Sequence, residues 1–308
     1  MRSLYTEIRR GAVEILRSAH SFNFQTAGAA DRMRIEDALP PMNPEVIATE
    51  LLAALDGNTT IGAITARDPS FDADAAYLVS AEILRRRRAR GETPVGRKVG
   101  FTNRTIWAEY GVSTPMWAHV YDSTVTYFDE ARGSLAIGHL AQPRIEPEIV
   151  LHFKSAPRAT EDENELLSNI DWIAHGYEVV QCHFPNWKFK AADTIADFGL
   201  HGALVVGPKR PVDALADVVG KLRTFTITLS KNGRLEAQGG GANVLDSPLL
   251  VAAHLLNLLK YQQRFESIQA GELVTTGTLT PALPIRPGET WTTELSGLEL
   301  PGLYLHLE

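Results

Sequence analysis

Arg144-Ile145-Glu146-Pro147-Glu148-Ile149-Val150-Leu151-His152-Phe153 is the stretch from which the rest of the chain is best read. In an extended strand, residues two apart point to the same side. Glu146 and Glu148 therefore share a face, while Ile145, Ile149 and Leu151 supply apolar bulk. Two close carboxylates repel and titrate as a pair. Such a pair, if buried, needs a proton, a cation or a basic partner. A hard divalent metal answers that need when a third oxygen ligand arrives from elsewhere. Pro147 between the two carboxylates argues against a fully paired central strand and fits an edge or a bulge.

Glu178, in Gly176-Tyr177-Glu178-Val179-Val180-Gln181, is the candidate third carboxylate. Its alternating surroundings set it opposite to Val179. Spacing alone leaves solvent-facing or salt-bridged glutamates as the other reading of all three. Lys98 stands between glycines in Gly96-Arg97-Lys98-Val99-Gly100. A lysine so placed can reach an anionic substrate or a developing enolate, or it can be a surface lysine. Arg97 should point to the opposite face. His183 could move protons near neutral pH or serve as a loop histidine. His119, His152, His175 and His201 carry less weight. Cys182 reads as an inert buried thiol unless a base is paired with it.

Working outward, residues 1–90 read as mainly helical and residues 91–308 as β-rich, an α+β pattern rather than a βαβ repeat. Helices are expected over 3–19, from Asn43-Pro44 to a stop at Gly57, and over 72–89 with Gly91 as terminator. Further on, 96–101, 123–128, 134–139, 144–153, 202–206, 222–230, 271–277 and 289–297 read as strands. Helices are expected over 103–110, 161–174 and 248–264, and Asn232-Gly233 reads as a hairpin turn. No Gly-x-Gly-x-x-Gly follows a strand, so a dinucleotide site is unsupported. Gly239-Gly240-Gly241 reads as a tight turn or a close backbone approach.

The 308 residues carry a formal net charge of -7, which argues against a nucleic-acid partner. The basic run Arg85 to Arg88 reads as a helix end that complements the dipole. One cysteine excludes an intrachain disulfide and a multi-thiolate zinc site within one chain, so a reducing cytoplasm is expected. With no uninterrupted apolar window of membrane length, no membrane partner is expected.

In order and approximate spacing, several motifs resemble the fumarylacetoacetate hydrolase superfamily, in its 2-keto-4-pentenoate hydratase and 4-oxalocrotonate decarboxylase branch. They are Gly96 through Thr102, Arg144 through Ile149, Glu178 through Asp197, and Gly271 through Thr278 with Pro287-Gly288-Glu289. The resemblance implies a small helical N-terminal part and a β-rich mixed catalytic domain. It also implies Mg²⁺ or Mn²⁺ held by Glu146, Glu148 and Glu178, a 2-oxo acid ligand, Lys98 as the active-site lysine, and a homo-oligomer.

Departures from the motifs bear on the reaction. The usual Pro-Asp-Phe-Gly is Pro115-Met116-Trp117-Ala118 here, without the acid/base aspartate. The usual Asp-Ser-Arg is Gln181-Cys182-His183, and the usual Ala-Asp-Asn-Ala-Ser is Ala196-Asp197-Phe198-Gly199-Leu200. His183, His119 or Asp122 could replace the missing proton-transfer group. Met116, Trp117, Phe184, Phe198 and Leu200 read as an apolar pocket wall or as plain core, and Thr276 is a further substrate-binding candidate. The expected activity is that of a metal-dependent hydro-lyase acting on a 2-oxo or 2-hydroxydienoate acid through an enolate. Decarboxylation, tautomerisation, C–C hydrolysis and non-catalytic 2-oxo acid binding remain alternatives.

Overall fold

The computed structural model describes residues 43–308, and the expected 3–19 helix lies outside them. The described residues form one compact unit. Helix α1 (Pro44–Gly57) starts where Asn43 accepts from the Glu45 amide at 2.8 Å, with Pro44 at the first helical position. Its stop is Asn58, in the left-handed region at φ 48, one residue past the expected Gly57. A short α2 (Ile64–Arg67) leads to α3 (Ala73–Ala89), capped by Asp72. The basic run ends α3 in ion pairs: Arg85 and Arg86 with Glu82, and Arg87 with Glu92.

The strand-rich part begins with β1 (Pro94–Gly100), α4 (Trp107–Tyr110), β2 (Met116–Tyr121), β3 (Val125–Tyr127) and β4 (Arg132–Leu135). It continues through β5 (Arg144–Phe153), α5 (Glu163–Ser168), β6 (Ile170–Val180), α6 (Ala191–Ala196), β7 (His201–Val206) and β8 (Arg210–Pro211). Then come α7 (Val218–Thr224), β9 (Thr226–Lys231), β10 (Arg234–Gly240), α8 (Pro248–Tyr261), β11 (Leu273–Thr275), β12 (Leu283–Pro284), β13 (Thr290–Ser296) and β14 (Tyr304–Leu307). Among the described residues, a mixed nine-stranded sheet runs β2-β1-β11-β5-β6-β7-β3, with β12 on β5 and β8 on β6. A five-stranded sheet runs β10-β9-β13-β14-β4. The architecture is α+β.

One apolar cluster joins α1 and α3 to Trp117, Ile149, Leu151 and the buried side of α8. By length and composition Gly241–Tyr261 would be apolar enough to cross a membrane. Its regular helical part, α8, is core, with Leu249, Val251, Leu255, Leu256 and Leu259 buried.

The strand at 144–153 has the expected limits, but it is central, paired with β6 on one side and with β11 and β12 on the other. Pro147 is accommodated because β11 and β12 leave a gap beside it. Its carbonyl faces that gap and accepts from Leu279 at 2.9 Å, so a missing amide on the same side costs no ladder bond. The expected 161–174 helix stops at Ser168, because Ile170 onward pairs along β5. That run is buried nearly throughout, so over its first half no alternation shows in the sequence. Likewise β2 is buried at every position and gives no period-two signal. The expected 222–230 strand begins only at Thr226, after α7, whose first turn Asp217 caps. Asn232 and Gly233 make the hairpin turn with positive φ at both positions. Gly239 is a close approach: a Cβ there would lie 1.7 Å from the Leu279 carbonyl oxygen.

Candidate active site

Register brings the three carboxylates together. In the β5–β6 ladder Glu146 lies directly opposite Glu178, and Glu148 lies two residues along on the same face. One carboxylate oxygen from each of Glu146, Glu148 and Glu178 falls within 4.8 Å of the others. Glu148 and Glu178 are fully buried. The Gly277 amide donates to Glu148 Oε2 at 2.8 Å. Only glycine suits that position, because its φ is +88 and a Cβ would lie 2.0 Å from Thr102 Oγ1. His201 bonds through Nδ1 to Glu178 Oε1 at 2.8 Å and through Nε2 to Thr124 Oγ1 at 2.8 Å. The second oxygens, Glu148 Oε1 and Glu178 Oε2, have no hydrogen-bond partner among the described residues.

Lys98 enters from β1. It is buried, its Nζ donates to the Gly199 carbonyl at 2.9 Å, and it stands 3.4 Å from Glu178 Oε2. Arg97 takes the other face, ion-paired with Glu272 at 2.9 Å. Burial works against the Lys98 charge, but Glu178, Glu146 and Glu148 outweigh it and raise its pKa. Burial pushes Glu146 up to about 7, and Lys98 only partly offsets this. Burial and the neighbouring Glu178 push Glu148 well up. Burial also opposes ionisation of Glu178, yet Lys98 and the His201 hydrogen bond hold it down at about 2.

Three carboxylates against one ammonium leave a formal charge of -2 on the cluster with all four groups ionised. A divalent cation would balance that charge and give the orphaned oxygens a partner. An all-oxygen donor set suits magnesium, manganese or calcium better than a soft metal. The residues present fit such an ion.

A cavity of about 350 Å³ opens beside the cluster. Lys98 and Glu146 line it, with Met116 and Leu200 among its apolar walls and Arg144 at a position that shares the Glu146 face. Arg144 lies over the Trp187 ring at 4.0 Å.

Other sequence-derived candidates lie elsewhere. Trp117 and His119 are on β2 opposite Val99 and Arg97, on the far side of the sheet from Lys98. Trp117 stacks on Tyr77 and meets Phe265 edge-on. His119 is buried in the same aromatic group, where burial and then Arg97 hold its pKa well below the ordinary value. Neither reaches the carboxylates. Asp122 is exposed and accepts from the amides of Thr93 and Ser123 at 2.9 Å, a turn-capping duty. Thr276 bonds the Ile149 carbonyl through its hydroxyl at 3.1 Å, while Gly277 and Thr278 line the cavity. Phe184 is core, and Phe198 packs edge-on against His183.

His183 is buried and bound twice by Asp197: Nδ1 to Oδ1 at 2.6 Å, and its amide to Oδ2 at 3.0 Å. It is absent from the cavity lining. Its partner Asp197 precedes Phe198, Gly199 and Leu200, all three at positive φ (55, 61 and 64). That left-handed turn is strained for Phe198 and Leu200, and it carries the Gly199 carbonyl that holds Lys98. Cys182 is buried, and burial, then Asp197, push its thiol up to about 12.

Several cavity residues escaped sequence reasoning. Trp187 and Phe189 line the cavity from an irregular segment without a period to mark them. Arg144 carried a usable signal, since it is two residues from Glu146 on one strand. His201 was weighted lightly because nothing local ties it to Glu178.

Residues 113–300 match the family described as fumarylacetoacetate (FAA) hydrolase C-terminal. The chain belongs to the fumarylacetoacetate hydrolase superfamily. Within it, the chain falls in the 2-keto-4-pentenoate hydratase/4-oxalocrotonate decarboxylase branch. It is 31% identical to 2-hydroxyhexa-2,4-dienoate hydratase of Comamonas testosteroni, over 82% of this chain and 94% of that one. It is 34% identical to 4-oxalocrotonate decarboxylase of Pseudomonas sp. (strain CF600), over 72% and 81%. The solved 4-oxalocrotonate decarboxylase from Pseudomonas putida G7, complexed with magnesium and adipate, superposes with TM-score 0.79 at 29% identity, covering 88% of this chain and 99% of that one. Within the superfamily fold the mixed sheet supplies the acidic cluster, and loops at its rim supply Trp187, Phe189 and Thr278.

Proposed function

We propose that this chain is a divalent-metal-dependent lyase acting on a 2-oxo or 2-hydroxydienoate acid, and in finer terms a hydratase. The observation that carries the proposal is the Glu146, Glu148 and Glu178 cluster with Lys98 Nζ 3.4 Å from Glu178. The 31% identical hydratase and the magnesium complex of the decarboxylase support it. A bound Mg²⁺ or Mn²⁺ would polarise the 2-oxo group of the substrate. Lys98 stays cationic among the carboxylates and places a fixed positive charge where negative charge develops on substrate oxygen. Arg144, which has no ion pair among the described residues, sits on the strand face of Glu146 and suits the substrate carboxylate. Apolar walls limit water around the reacting carbons.

A second reading, decarboxylation, has its own support. Met116 stands at the acid/base position and lines the cavity, whose titratable side chains are Lys98, Glu146 and Arg144 among the described residues. Loss of carbon dioxide toward a polarised 2-oxo group needs no separate general base, whereas water addition does. The relative of 34% identity is a decarboxylase. A homo-oligomeric state and a cytoplasmic setting complete the proposal and are open to light scattering and cell fractionation.

The test is turnover of 2-hydroxypenta-2,4-dienoate and of 2-oxohex-3-enedioate by chelated protein, with and without Mg²⁺ or Mn²⁺, read by mass spectrometry. A gain of one water supports the hydratase. Release of carbon dioxide supports the decarboxylase. Full activity in metal-free protein overturns both.

A further inference from the structure

We propose that the cavity selects a 2-oxo acid with a bulky apolar tail, aryl or branched alkyl, and that Leu200 and Met116 enforce the preference. This rests on the reading of the acidic cluster as the 2-oxo acid head site. The charged lining is concentrated at that head: Lys98 and Glu146 at the cluster, and Arg144 on the same strand face as Glu146. The rest of the lining is largely apolar, with Phe101, Met116, Trp187, Phe189 and Leu200, and carries polar side chains at Asn103, Asn243 and Thr278. Pockets of about 300–1,000 Å³ with apolar walls and a few convergent polar groups take drug-sized ligands. The cavity of about 350 Å³ falls in that class.

Both enforcing side chains are fixed in place. Thr194 Oγ1 approaches Met116 Sδ at 3.0 Å. The terminal methyl of Met116 lies close to Gly100, whose missing Cβ would also stand 3.6 Å from Lys98 Nζ. An apolar group is thus set beside the ammonium, where the branch motif has an aspartate. Leu200 follows Gly199, whose carbonyl holds Lys98, and its φ of 64 fixes the direction in which its side chain leaves the backbone. The motif has a serine there. A wall of thioether and isobutyl groups cannot satisfy a polar substituent, but gains from each apolar carbon it covers. Arg144, with the amides of Asn103 and Asn243 in the same lining, could reverse the preference by taking a distal carboxylate, so the test includes that ligand.

The test uses the whole protein with saturating Mg²⁺ and calorimetric titration of three 2-oxo acids: pyruvate for the head, 2-oxo-4-phenylbutanoate for the apolar tail, and 2-oxoglutarate for a distal carboxylate. The expected result is 2-oxo-4-phenylbutanoate at least about tenfold tighter than pyruvate, and 2-oxoglutarate no tighter than pyruvate. Leu200→Ser and, on the separate loop wall, Phe189→Ala should each cut the aryl advantage, read as the ratio of the pyruvate Kd to the 2-oxo-4-phenylbutanoate Kd, about threefold or more. Equal affinity for all three acids, or preference for 2-oxoglutarate, overturns the proposal. Aryl binding that is indifferent to Mg²⁺, with no pyruvate binding, sinks the head-site reading and leaves the tail preference standing. Pyruvate binding without an aryl advantage does the reverse. Failure of all three acids to bind removes both.

Discussion

The carbonyl oxygen of Gly199 accepts a hydrogen bond from Lys98 Nζ at 2.9 Å, and this one contact ties a strained left-handed turn to the charged centre of the site. The turn has no room for a side chain at Gly199. A Cβ would lie 2.7 Å from Ala118 Cβ and 3.0 Å from Lys98 Cδ. Gly199→Ala is therefore expected to destabilise the fold by about 1–3 kcal/mol and to displace Lys98. Urea unfolding and turnover measure the two effects. A stable, fully active variant would show that the turn does not hold the lysine.

His201→Ala removes the group that orients Glu178 through the 2.8 Å contact. Loss of such an outer partner typically weakens metal binding by about 10–100-fold. Mg²⁺ affinity measured by calorimetry should fall by that much. Glu178→Gln should lower it further, because a ligand charge is lost as well. An unchanged Mg²⁺ affinity in His201→Ala would mean that Glu178 needs no support.

Metal-free protein should lose stability as pH rises through the range in which its buried carboxylates ionise. Glu146 titrates near 7 in the folded chain against an ordinary 4.5. Between those values the folded state holds more protons than the unfolded one, so unfolding free energy falls as pH rises. His175 contributes the opposite slope at lower pH. Burial lowers it from 6.5 to about 4, so its share of stability is complete above 6.5 and lost as pH falls toward 4. Mg²⁺ competes with protons on the carboxylates, so the Mg²⁺-induced rise in Tm should be larger at about pH 7.5 than at about pH 5. Calorimetric scans at both pH values check this. A rise independent of pH would contradict the carboxylate site.

Cys182 should resist thiol reagents in the native protein at neutral pH and react only on unfolding. Its thiol is buried and pushed up to about 12 by burial and by Asp197, which leaves almost no thiolate. Labelling with a maleimide, followed by intact mass, distinguishes the two states. Rapid native labelling would place Cys182 at an opening that the structure lacks.

Much of the fold was legible where a local signal is strong. Asn43-Pro44 and Asn232-Gly233 act through groups within a few residues of themselves, and each sits where its chemistry directs. Strand β5 keeps its expected limits. Strand β2 and the first half of β6 were illegible as strands because both faces are covered, which erases the alternation that marks a half-exposed strand. Trp117 and His119 were grouped with the site because they neighbour a motif position. The β1–β2 register instead pairs them with Val99 and Arg97, on the other face from Lys98.

The amino-acid order alone determined the superfamily, the shared face of Glu146 and Glu148, and the loss of the acid/base aspartate at Met116. These are local matters of periodicity and motif. Only the tertiary structure decided that Glu178 lies across from Glu146, that Lys98 reaches Glu178, and that His201 rather than His183 supports the carboxylates. Such meetings depend on strand register and sheet order, which arise from pairings between distant segments and leave no mark within any one of them.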